Sequence, residues 1–152
     1  MATIYFSGSI SGGRHDLPIY LRIVQLLEER GHRVLAGAVT SQHISAGGEG
    51  LTSEAIFERD LGWIEEVAVA GGVLVADVSL PSTGVGYEIA VARYRFNMPV
   101  ICLYRPAHTL RCTAMVAGDR GITLVEYRED ALAEAIDRIE AALAAGAPRS
   151  LK

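Results

Sequence analysis

Residues 71–88 read GGVLVADVSLPSTGVGYE. The run from Val73 to Val78 is nearly all apolar, the composition of a strand with both sheet faces covered. A turn of proline, serine, threonine and glycine follows, and the spacing of VGYEIAVARYRF predicts a helix over 85–96. Buried strand, glycine-rich turn and helix, in that order, are part of a βαβ unit, so a parallel sheet becomes the governing expectation. One carboxylate, Glu88, stands at the foot of that helix beside small residues. In a first helical turn a glutamate ordinarily compensates the helix dipole. In a loop shaped to admit a ligand it can instead be a base, a nucleophile or a hydroxyl clamp.

The same rhythm extends in both directions. Strands are expected over 3–7, 33–39, 73–78, 99–104 and 122–127, and helices over 17–30, 53–70, 85–96 and 130–145, with Ser53 capping the second helix. The stretch from Arg105 to Gly121 shows no clear period. This alternation predicts an α/β fold: a single-domain, three-layer α/β/α sandwich on a five-stranded parallel sheet, flavodoxin-like or Rossmann-like. The strand order 2-1-3-4-5 is a fold-level analogy. The domain is expected to span 1–145, with 146–152 a disordered C-terminal tail. In such sheets ligands bind beyond the carboxyl ends of the strands where the order reverses, here between the first and third strands. The segments leaving those two ends are GSISGG (8–13) and PSTGVGYE (81–88), and both are rich in glycine.

Bulk properties narrow the function classes. The chain has 152 residues, half of them hydrophobic, and a formal net charge of −4, which suits one soluble core. That charge disfavours a broad nucleic-acid surface but not one nucleotide held by a few backbone N–H groups. The start MATIYFSGSI has neither the basic region nor the apolar core of a signal peptide, and no apolar run approaches the length of a membrane span. With two cysteines and no CxxC pair, the expectation is a reduced, cytoplasmic protein that uses no membrane. His15, His32, His43 and His108 are scattered without metal-ligand spacing, so no metal or other cofactor is expected.

Three side chains can carry chemistry. Ser82 or Thr83 can cap the helix while Gly84 and Gly86 keep the approach to Glu88 open. Asp60 lies in FERDLGW on a helical face shared with Ile56, Trp63, Ile64 and Val67, where a carboxylate is costly unless paired or functional. Glu58, Arg59, Glu65 and Glu66 read as the solvated outer face of that helix. Burial would let Asp60 hold its proton, whereas Glu88, near amide donors, is expected to stay ionised. Tyr5 shares one face of the first strand with Thr3 and Ser7, and its hydroxyl can serve the core or reach a carboxylate from the third-strand loop.

The ordered set IYFSGSISGGRHD, FERDLGW, PSTGVGYEIAVA and TAMVAG resembles the 2′-deoxynucleoside 5′-monophosphate N-glycosidases of the nucleoside 2-deoxyribosyltransferase superfamily, from Ile4 to about Tyr127. The resemblance implies hydrolysis of the bond between C1′ of a deoxyribose and the base, through a covalent ester on Glu88. Asp60 would be the acid that assists base departure, and Tyr5 would position the nucleophile. Gly8, Ser9, Gly12, Ser82, Gly84 and Gly86 would hold the 5′-phosphate, and Ile10, Ile56 and Met115 would touch the base. In the family a neighbouring subunit's hydroxyl completes the phosphate site, which here implies a homodimer with Thr113 in that role. Family members carry SIRGG in the first loop; Ser11 stands at the arginine position, leaving Arg14 as a substitute cation. Ala38 stands where many have a histidine, and Thr113 where serine is common. These differences bear on phosphate preference and base choice. Base exchange by a deoxyribosyltransferase, hydrolysis of ribonucleotides, and a nucleotide sensor without catalysis are the alternatives.

Overall fold

The strands β1 (Thr3–Ser7), β2 (Arg33–Leu35), β3 (Val73–Asp77), β4 (Val100–Tyr104) and β5 (Ile122–Glu126) form one sheet in the order β2-β1-β3-β4-β5. Every pairing is parallel, with Tyr5 opposite Leu35 on one side and Leu74 on the other, and Ser7 opposite Ala76. The structure, a computed structural model, describes residues 1–10, 14–41, 50–106 and 112–146. Gly12, the Arg14 side chain and the tail beyond Gly146 lie outside them.

Helices cover both faces. Ile4, Phe6, Val73, Val75, Ile101 and Leu103 project toward α1 (Leu17–Glu29) and α6 (Leu132–Ala144), which supply Tyr20, Ile23, Leu27, Ile136 and Ile139. The alternate residues Tyr5, Leu74, Ala76, Val100 and Cys102 meet Ile64 and Val67 of α3 (Ser53–Val69) and Val85 and Ile89 of α4 (Thr83–Ala90). Period-two alternation on central strands thus builds two cores from one sheet, and Tyr5 and Ser7 belong to the α3/α4 side. The three-layer α/β/α expectation and the strand order hold.

Several boundaries differ from the expectation. The second strand ends at Leu35 and not at 39, because Gly37 turns the chain at φ +42° into the short helix α2 (Gly37–Thr40). A Cβ at Gly37 would lie 2.1 Å from the Trp63 ring, so that corner needs glycine. The α3 cap is Thr52, whose hydroxyl accepts from the Ala55 N–H at 3.3 Å, and Ser53 is already helical. Ser82 caps α4, accepting from the Val85 N–H, so that helix starts at Thr83 and continues through a π turn over Val91–Arg95. Within the stretch that showed no period, α5 spans Ala114–Gly118.

Candidate active site

Because α4 begins at Thr83, Glu88 stands in its second turn, and no acidic residue occupies the first. Dipole compensation therefore does not account for it. Residues 84, 87, 88 and 91 share the face turned toward α3, and with Ile56, Phe57, Asp60, Leu61 and Ile64 they line a cavity of about 290 Å3. Asp60 and Glu88 thus come from separate helices to the walls of one chamber. Glu88 is held from the sheet side: the Tyr5 hydroxyl donates to its Oε1 at 2.8 Å, and the Ser7 hydroxyl donates to Oε2.

The electrostatics differ from the expectation. Burial is the largest influence on Glu88 and raises its carboxyl above the ordinary range; the Ser7 and Tyr5 hydroxyls and the Arg59 charge oppose that rise, and the Asp60 charge adds to it. The amide donors expected to keep Glu88 ionised are replaced by two hydroxyls of β1. Burial, followed by the charges of Glu88 and Asp60, also pushes the Tyr5 phenol far up, so it donates and does not titrate. Asp60 is not a bare acid on an apolar stripe. Arg59, read as outer-face, turns inward and donates from Nε to Asp60 Oδ1 at 2.8 Å, with its guanidinium carbon 4.9 Å from the centre of the Trp63 ring.

The other expected residues divide between two places. Ile56 and Gly84 join the Glu88 chamber. Gly8 and Ser9 are buried where β1 ends, and a Cβ at Gly8 would sit 3.0 Å from the Tyr20 ring; Ile10 is partly exposed. Ser82, at the start of α4, and Gly86 line a smaller hollow that also holds Thr113 and Val116. Met115 is exposed beside that hollow and does not reach Glu88 within this chain. Among the described residues no group of three or more His, Cys, Asp or Glu is placed to hold a metal.

A buried polar network went unread. Arg105, with a side chain 1% exposed, pairs with Asp16 and with Glu129 (2.6 Å), and from its backbone N–H and its Nε it donates to Ser79 Oγ at 3.0 and 3.2 Å. The Ser79 N–H donates to Asp77 Oδ1 at 2.9 Å, and the Tyr127 hydroxyl donates to the other oxygen. Asp16 follows the first glycine-rich segment in sequence and Ser79 precedes the second, so Arg105 links a residue beyond one to a residue ahead of the other. A strand ending in aspartate, two residues before a serine, was the available signal.

Two carboxylates lining one chamber beside the reversal of strand order in a doubly wound fold are an arrangement able to divide acid and nucleophile chemistry between two side chains. No family model matches the chain. Among curated proteins it is 40% identical over 129 residues to the 5-hydroxymethyl-dUMP N-hydrolase of Esox lucius, covering 83% of this chain and 85% of that one. It is 39% identical over 137 residues to a protein of Methanosarcina mazei named as a 2′-deoxynucleoside 5′-phosphate N-hydrolase, covering 90% and 80%. A solved structure, the CMP N-glycosidase of Clostridium botulinum, superposes with a TM-score of 0.65 at 15% identity over 90% of this chain and 98% of that one, a likeness of fold. The chain belongs to the 2′-deoxynucleoside 5′-phosphate N-hydrolase family. Among the described residues no helix is long and apolar enough to cross a membrane.

Proposed function

We propose that this chain hydrolyses 2′-deoxynucleoside 5′-monophosphates to the free base and 2-deoxyribose 5-phosphate. The observation that carries this reading is the chamber with Asp60 and Glu88 on its walls and Tyr5 donating to Glu88 from the strand below. The names of the relatives support the substrate class.

In the first step a Glu88 oxygen attacks C1′. The C1′–N bond breaks, its electron pair leaves with the base, and Asp60 gives that nitrogen a proton. The developing positive charge at C1′ faces the ionised Glu88 in a chamber lined mostly by apolar side chains, where electrostatic stabilisation is strong. In the second step water attacks C1′, Asp60 takes its proton, and the ester bond breaks to free the Glu88 carboxylate. Gly8, Ser9, Gly12, Arg14, Ser82, Gly84 and Gly86 hold the phosphate, whose binding supplies energy away from the reacting carbon. Ile10, Ile56 and Met115 contact the base. Thr113 and Met115 stand across α4 from Glu88 in their own chain, an arrangement suited to serving the site of a second copy, and a homodimer is part of the proposal. The cytoplasm, where the free thiols of Cys102 and Cys112 persist, is its proposed setting.

The test follows base and sugar phosphate released from the four deoxynucleoside monophosphates, their nucleosides and the ribonucleotides. Glu88→Ala is expected to abolish release, and Asp60→Asn to slow it about a hundredfold or more. Base release by Glu88→Ala at the wild-type rate would falsify the mechanism. Adding a different free base separates the alternatives: a newly formed nucleoside marks a transferase. A ligand that raises the melting temperature without base release marks a sensor.

A further inference from the structure

We propose that Ser7 is a positioning residue for Glu88, fixing the plane of the nucleophilic carboxylate together with Tyr5. The inference rests on the Glu88 reading above. Positions 5 and 7 share one face of β1, and β1 is flanked by β2 and β3, so their two hydroxyls sit on a rigid central strand. Tyr5 holds Oε1 at 2.8 Å and Ser7 holds Oε2. Ser7 is fully buried, at 0% exposure, and pairs in register with Ala76. A carboxylate anchored at one oxygen can still swing about its last side-chain bond, whereas one anchored at both oxygens cannot. An ionised carboxylate has about four lone-pair positions, so accepting one hydroxyl at each oxygen leaves lone pairs free to attack C1′.

The charged and titratable groups facing Glu88 are Tyr5 from β1 and Asp60 and Arg59 from α3. Burial and Asp60 press the carboxyl toward its neutral form; Ser7, Tyr5 and Arg59 press it back. Ser7 therefore serves geometry and ionisation at once. A neutral Glu88 cannot attack, so losing the Ser7 donor narrows the pH range in which the site works from the acid side. A buried strand residue that only filled space would change stability and leave the pH profile where it was.

The experiment compares Ser7→Ala, the near-isosteric Ser7→Cys with its weaker S–H donor, Glu88→Ala and wild type, using base release from deoxynucleoside monophosphates, full pH profiles and melting temperatures. For Ser7→Ala the expected result is a kcat lower by about ten- to a hundredfold, the range for a hydrogen bond to a charged group. KM should stay within about twofold and the acid limb should move up by about one pH unit, the shift one tenfold loss corresponds to. Ser7→Cys should fall between Ser7→Ala and wild type. Wild-type kcat and an unmoved acid limb in either variant overturn the inference. Should Ser7→Ala not fold, the Ser7→Cys profile decides. An inactive Glu88→Ala beside a wild-type-like Ser7→Ala defeats only the role of Ser7, whereas an active Glu88→Ala defeats the nucleophile assignment beneath it.

Discussion

Replacing Arg105 by methionine keeps most of the side-chain volume and removes the charge that links Asp16, Ser79 and Glu129. Those partners do not count equally. Glu129 is 53% exposed, so its ion pair, despite a 2.6 Å contact, contributes at most about 1 kcal/mol. Asp16 is 5% exposed, and without Arg105 it would be a buried carboxylate stripped of its counter-charge. Removing one partner from such a pair costs about 3–5 kcal/mol. For a domain of this size that corresponds to a melting temperature lower by roughly 6–20 °C. Asp16 is also the residue before α1, but its side chain makes no capping hydrogen bond, so Asp16→Asn isolates the pair. The double variant should regain about 1 kcal/mol or more over the sum of the single losses, because neither charge is then stranded. Urea unfolding at pH 7, followed by far-ultraviolet circular dichroism, measures all four corners of the cycle. A loss below about 1 kcal/mol for Arg105→Met, or strict additivity in the double variant, would refute the assignment.

Tyr5→Phe keeps a ring that is 4% exposed and deletes the 2.8 Å bond to Glu88, so the acid limb of kcat/KM should rise by about 1–2 pH units, from about 1.5–3 kcal/mol for a hydrogen bond to a charged group; an unmoved limb disproves the contact. Gly72→Ala would place a Cβ 2.2 Å from the Thr3 carbonyl oxygen, and should destabilise by about 1–3 kcal/mol in denaturant titrations, with a change under about 0.5 kcal/mol the contrary result. Burial raises the Asp77 carboxyl, so the native state keeps a proton the unfolded chain releases, and this group's stabilisation is complete below the ordinary aspartate pKa and fades as pH climbs through the raised native value. Asp77→Asn should flatten that decline in urea midpoints taken from pH 4 upward, and parallel slopes for variant and wild type would count against it.

The layers of this protein were legible because its central strands are apolar runs of the right length: Val73 to Asp77 and Val100 to Tyr104 are buried at every position. The edge strand β2 was overextended, since AGAV after Leu35 has strand-like composition and only the tertiary clash with Trp63 reveals why Gly37 turns. Asp60 stood out as a carboxylate on an apolar helical face, Glu88 as one at a helix foot beside glycines, and Tyr5 as a hydroxyl near the carboxyl end of a central strand, and the three pointed to one crevice. Arg59 was misassigned for the converse reason: a charge beside a buried face looks solvated until its neighbour's carboxylate and a tryptophan ring claim it. Arg105 lay at the head of a stretch without period, and its partners Asp16, Ser79 and Glu129 are scattered along the chain, so no local pattern could join them.

Gly84 and Gly86 are two residues apart, yet one opens on the Glu88 chamber and the other on the hollow beside Thr113. A helix that borders two compartments has no separate adjustment for each. Rolling α4 about its axis to widen either would drag Glu88 off the hydroxyl of Tyr5, so the dimensions of both spaces are set by a single rotation angle, and tailoring one compartment to a bulkier guest must be done from the opposite wall, on α3 or α5.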